Sequence, residues 1–182
     1  MKGLHTIIIL AAAFLAVFVE ALPGGLRGVL RAQLDYLPVL LVYTALSADF
    51  ATLLLLAVLG GLWHDSLSAN PLGVSVLPLL VTGVLIQRNQ ELMLRDQAYA
   101  QFTLGLLASA LVPALTLLLM PGSAKPLLGA GTLWQWFVLT LGGGLLTPLC
   151  FLAFAKFGRW FAYQPLPEMS FRLDRQIKRG RL

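Results

Sequence analysis

The residues with the most chemical potential form one short run, His64-Asp65-Ser66, followed by Ser68 and Asn70-Pro71. His, Asp and Ser together suggest a hydrolytic relay, in which a base reaches the nucleophile and a third group orients that base. Consecutive helical residues point about 100° apart, so these three cannot form the relay among themselves. Metal ligation is not expected either. His5 and His64 are the only histidines, Asp65 has no second carboxylate at ligand spacing, and Cys150 stands alone. The chain also lacks a P-loop, an H-E-x-x-H and a G-x-S-x-G. No catalytic, cofactor-binding or metal-ligating residue is therefore expected. The reading that remains is structural: Leu67 to Asn70 form a tight turn between antiparallel spans. Asn70 then caps the next helix, with Pro71 at its first position. Asp65 falls at the outer end of a helix, within reach of water, bonded across the turn or to a partner.

The elements that position this run are set by composition. Of 182 residues, 58% are hydrophobic and only 12% charged, and the mean hydropathy is +0.83. A soluble domain carries roughly a quarter charged residues. This chain cannot cover a globule in water, which excludes a soluble catalytic domain and implies an all-α integral membrane protein. The net charge of +5 reads as lipid and topology signals rather than nucleic-acid binding. The single cysteine excludes an internal disulfide.

Four stretches read as spans: Leu4 to Leu22, Pro71 to Ile86, Ala98 to Met120 and Thr132 to Ala155. The first has too long an apolar run and too poor a cleavage site at Val19-Glu20-Ala21 for a signal peptide. Between Tyr36 and Trp63 the chain is nearly all apolar but carries Ser47-Ala48-Asp49 at its middle. One span would bury Asp49 at about 2.5–3.5 kcal/mol; two spans would each be short. Asp49 favours two, for a compact bundle of six helices with both termini cytoplasmic. Five spans remain an alternative. In the six-span arrangement Lys2, Arg88, Arg95, Lys156, Arg159 and the tail are inside, while Arg27, Arg31 and Lys125 are outside. The five-span arrangement has nearly the same bias, so charge fixes the C-terminus inside without separating the two.

Pro38, Pro78, Pro113 and Pro148 lie within these spans, where neighbouring helices can satisfy the freed carbonyls. Gly60-Gly61, Gly142-Gly143-Gly144 and Ala108 with Ala110 mark close helix packing. The chain divides into a transmembrane domain, residues 1–163, and a basic cytoplasmic tail, residues 164–182. In the tail, Arg172, Arg175, Lys178, Arg179 and Arg181 surround an apolar pair, Leu173 and Ile177. They suit a short helix on anionic lipid, at roughly 1 kcal/mol per basic residue, or a disordered topology anchor.

The stretch from Gly60 to Gly73, GGLWHDSLSANPLG, resembles the MreD family of bacterial rod-shape-determining membrane proteins. Asp65, Leu67, Ser68, Leu72 and Gly73 match the family's signature, and Asp35-Tyr36-Leu37 looks like its entry into the second span. Trp63-His64 depart from the usual small or aliphatic residues, and the tail is more basic than in many members. The resemblance implies a non-enzymatic inner-membrane component of the cell-elongation machinery. Its partner would be an MreC-like single-span protein and, through it, MreB, RodA and penicillin-binding protein 2. It also implies a fold similar to the substrate-binding subunits of vitamin transporters. Trp63, His64, Asp65, Asn70, Pro71, Leu72 and Gly73 would then shape an outer turn that contacts the partner. A substrate-binding subunit of an ECF-like transporter is the alternative. One modest polar cluster is little for a pocket, and scattered aspartates argue against an isoprenoid-type enzyme.

Overall fold

The computed structural model describes residues 2–21, 35–68, 71–90, 97–119 and 130–161. Among these the secondary structure is helical throughout, without a strand. The helices are α1 (Lys2–Ala21), α2 (Leu37–Ser47), α3 (Phe50–Leu67), α4 (Val76–Arg88), α5 (Ala98–Leu119) and α6 (Ala130–Phe161). Four of them, α1, α3, α5 and α6, are long and apolar enough to cross a membrane. The 11 residues of α2 and 13 of α4 rise only about 16 and 20 Å, short of a hydrocarbon core of about 30 Å.

The apolar stretch from Tyr36 to Trp63 breaks at Asp49, as its charge predicts. Ala48 is extended, Asp49 precedes the first turn of α3, and its carbonyl accepts from the Thr52 and Leu53 N–H groups. Asp49 is exposed. The prolines divide into two kinds. Pro38 and Pro78 sit in the first turns of α2 and α4, where no intrahelical donor is lost. Only Pro113 and Pro148 are interior.

A stripe of Ile9, Ala13 and Val17 on α1 is buried against the bundle, while Ile7, Phe14 and Phe18 face outward. His5 and Glu20 continue this stripe at its two ends by the same three-to-four spacing. Every residue of α2 from Leu37 to Leu46 is buried. It packs against α1, α3, α4, α5 and α6 and so forms the axis of the bundle. Thr44 on this axis returns its hydroxyl to the Leu40 carbonyl at 2.8 Å.

The buried face of α3 includes Leu53, Ala57, Gly61 and Asp65, four residues apart each time. In a regular α-helix this spacing drifts about 120° over three steps. A π-helical turn at Leu56–Gly60 adds one residue and takes back about 100°. Asp65 thereby faces inward. The glycines are where backbones touch. A Cβ on Gly61 would lie 2.9 Å from the Val76 Cα, and one on Gly105 would meet Thr147 and the Gly143 carbonyl. A Cβ on Gly143 would strike Ser109. The α5–α6 pair therefore packs almost backbone to backbone.

Side-chain contacts give an alternating up-and-down order. Thr6 meets Thr52 at 2.9 Å, and Gln87 donates to the Ala48 carbonyl at 3.2 Å, at the Asp49 end. Glu20, Asp35, His64 and Asp65 gather at the opposite end. The described Lys and Arg residues, Lys2, Arg88, Lys156 and Arg159, all stand on helix segments at the Asp49 end. Among the described residues, then, Lys and Arg gather at the Asp49 end and the buried acidic groups at the other.

Candidate functional site

Asp65 lies two residues before the end of α3 and is 1% exposed. Its Oδ2 accepts the N–H groups of Gly73 at 2.8 Å and Ser75 at 3.1 Å, and its Oδ1 accepts the Ser75 hydroxyl at 2.5 Å. Three bonds to one carboxylate clasp the exit of α3 to the entrance of α4. Such a buried charge is tolerated because its acceptor sites are filled. The segment before α4 bends at Gly73, whose φ of +91° suits a residue without Cβ.

This geometry corrects two sequence expectations. Asp65 is not open to water; the π turn and the clasp bury it. Nor does α4 begin at Pro71, for Pro71 is non-helical, residues 72–75 form a turn, and the helix starts at Val76 after Ser75. The Asp65 carboxylate claims the Gly73 and Ser75 N–H groups in the clasp, and a helix begun at Pro71 would not give Gly73 its φ of +91°. Asn70 itself lies outside the described residues, as do Arg172, Arg175, Lys178, Arg179, Arg181 and the boundary at residue 163.

The other sequence-marked residues surround the clasp. Trp63 packs edge-on against Phe14 of α1, with ring centroids 5.3 Å apart. Leu67 and Leu72 are 53% and 71% exposed, and Pro71 is exposed beside them. Ser66 turns outward and donates to the Trp63 carbonyl at 2.8 Å. Ser75 is the serine that His64 and Asp65 approach, but its hydroxyl donates to Asp65. It is held as a structural donor, not as a nucleophile facing a base.

Beside the clasp lies a grouping the spacing did not announce. Glu20 at the end of α1, Asp35 before α2 and His64 on α3 bring one ligand atom each within 4.8 Å of one another. His64 Nε2 is 3.7 Å from Glu20 Oε1, and the two side chains are 18% and 5% exposed. On the other side of the ring, Nδ1 is 3.5 Å from Ser75 Oγ and 3.8 Å from Asp65 Oδ1. Asp35 accepts the Leu37 N–H at 3.1 Å. Burial raises the Asp35 carboxyl to about 6, and the Glu20 carboxylate adds to the rise. The three residues are 15 and 29 positions apart in the chain, so only the inward stripe of α1 hinted at Glu20.

At the Asp49 end His5 approaches the Tyr43 hydroxyl at 3.3 Å, and Tyr43 stacks on Phe154 at 4.2 Å. These contacts join α1, α2 and α6. No protein-family model matches the chain, and no curated protein or solved structure matches it.

Proposed function

We propose that this chain is a non-enzymatic, MreD-like component of the bacterial cell-elongation machinery, resident in the inner membrane with six spans and both termini in the cytoplasm. The basic Asp49 end faces the cytoplasm, following the positive-inside rule, and the Asp65 end faces outward. There it meets an MreC-like single-span partner, which links it to MreB, RodA and penicillin-binding protein 2.

The observation that carries this reading is the clasp. Asp65 and Gly73, two of the residues on which the family resemblance rests, bond directly to each other. Their polar groups are spent on holding a turn, which is what a contact surface needs and a reaction does not. The same turn turns Leu67 and Leu72 outward as a ready apolar contact.

The test is gentle detergent extraction of the tagged protein from its native host, with mass spectrometry of what co-purifies. An MreC-like protein and wall-synthesis enzymes are expected. Leu72→Glu should reduce their recovery at least tenfold while leaving the protein's own melting unchanged. Recovery of an ATPase pair instead would assign the chain to transport, as the substrate-binding subunit of an ECF-like transporter, and sink the elongation reading.

A further inference from the structure

We infer that Glu20, Asp35 and His64 form a binding site for a divalent transition-metal cation, with His64 Nε2 and one oxygen of each carboxylate as ligands. Three separate segments deliver these groups to one place, and all three are types that bind zinc-class ions.

A second observation comes from the other side of the imidazole. The single hydroxyl hydrogen of Ser75 is committed to Asp65 at 2.5 Å. Ser75 Oγ can therefore only accept from His64, which places the ring hydrogen of neutral His64 on Nδ1. The Nε2 lone pair is then turned towards the two carboxylates. A lone pair facing carboxylate oxygens requires a cation between them, either a proton, on Nε2 or on a carboxyl, or a metal ion. Metal-bound histidines are commonly oriented in just this manner, with the far nitrogen donating to an oxygen that is itself fixed. Here Ser75 and, behind it, Asp65 provide that support.

The separations also fit. Zinc bonds to nitrogen and oxygen are about 2.0–2.2 Å, which puts tetrahedral ligand atoms roughly 3.3 Å apart. The Glu20–His64 pair at 3.7 Å is already close to this value. Rotation of the side chains by on the order of 1 Å brings the outer separations of up to 4.8 Å into range. Three protein ligands leave a fourth position for water or a partner's side chain. A bound ion would tie the end of α1 and the entrance of α2 to the clasp.

The experiment uses the full chain in detergent, stripped with chelator and titrated with Zn²⁺ by equilibrium dialysis. One saturable equivalent is expected, and a hundredfold excess of Mg²⁺ should leave it in place, because imidazole is a poor magnesium ligand. Glu20→Gln, Asp35→Asn and His64→Gln should each weaken binding at least tenfold, whereas His5→Gln should not. Ser75→Ala should weaken it about 10- to 100-fold through the histidine's orientation. Zinc-edge X-ray absorption on the unaltered protein reads the same site without a variant. It should report nitrogen and oxygen ligands including one imidazole. No saturable binding, displacement by Mg²⁺, a sulfur ligand from Cys150, or binding untouched by the three ligand substitutions would each overturn the assignment. In the first case a proton held between the imidazole and the carboxylates is the whole explanation of the cluster.

Discussion

Asp65 and Ser75 are joined twice, backbone N–H to Oδ2 at 3.1 Å and hydroxyl to Oδ1 at 2.5 Å. The double link makes the position of α4 depend on one carboxylate of α3. Removing it leaves the Gly73 and Ser75 donors without their acceptor in a poorly hydrated place.

Asp65→Ala is therefore expected to cost about 2–4 kcal/mol, and Asp65→Asn about half of that because one oxygen acceptor is kept. Denaturation of the purified protein in mixed detergent reads the difference. Equal losses for the two variants would mean that the bonds to Gly73 and Ser75 matter less than the burial of the side chain. Membrane insertion should survive both changes, while assembly with the proposed partner should weaken in proportion.

The α5–α6 contact makes a contrasting prediction for two glycines. Gly105→Ala forces a methyl against Thr147 and the Gly143 carbonyl, whereas a methyl on Gly3 meets nothing within 4 Å. The first substitution should destabilise by about 1–3 kcal/mol. The second should be neutral or stabilising by up to ~1 kcal/mol from helix propensity. Thermal melting of the two variants side by side checks the pair. A tolerated Gly105→Ala would show that α5 and α6 can separate without loss.

Ser109 offers the opposite sign. Its hydroxyl is fully buried, lacks a hydrogen-bond partner among the described residues and faces Gly143. Ser109→Ala removes that unpaired polar atom. A gain of about 1 kcal/mol is expected in the same denaturation assay. A loss would reveal that the hydroxyl is bonded in the membrane.

Orientation is tested by chemical labelling. With Cys150→Ser removing the only thiol, Leu72→Cys and Asn89→Cys place single thiols at opposite ends of α4, both at exposed positions. A membrane-impermeant maleimide should label the Leu72 site in intact spheroplasts and the Asn89 site only after permeabilisation. The reverse pattern would invert the proposed topology.

The sequence foretold the break at Asp49 because a charge inside an apolar run has a cost that local physics can assign. It foretold the tight packing at Gly61, Gly143 and Gly144 because small residues signal close approach whichever helix supplies the neighbour. Asp65 was harder. Its burial depends on an extra residue in the π turn at Leu56–Gly60, and the four-residue spacing that marks this turn is easily read as an ordinary helical face. The start of α4 was misread because Asn70-Pro71 is a strong local start signal, yet the clasp on Gly73 and Ser75 outweighs it. The Glu20–Asp35–His64 grouping had no signal in spacing beyond the place of Glu20 on the inward stripe of α1. It arises from the packing of α1 and α2 against α3, which is a tertiary fact.

The burial of α2 on every side bears on how the molecule is made. Four of the helices that wall it in, α3, α4, α5 and α6, are encoded after it, so α2 leaves the ribosome before most of its surroundings exist. Its sequence, LPVLLVYTALS, is nearly indifferent to whether hydrocarbon or protein surrounds it, and its one buried threonine closes its bond internally. In the proposed six-span arrangement the central helix can thus wait among lipid tails for its walls to arrive. Biogenesis then ends in displacement of lipid from the axis, driven by packing rather than by flight from water.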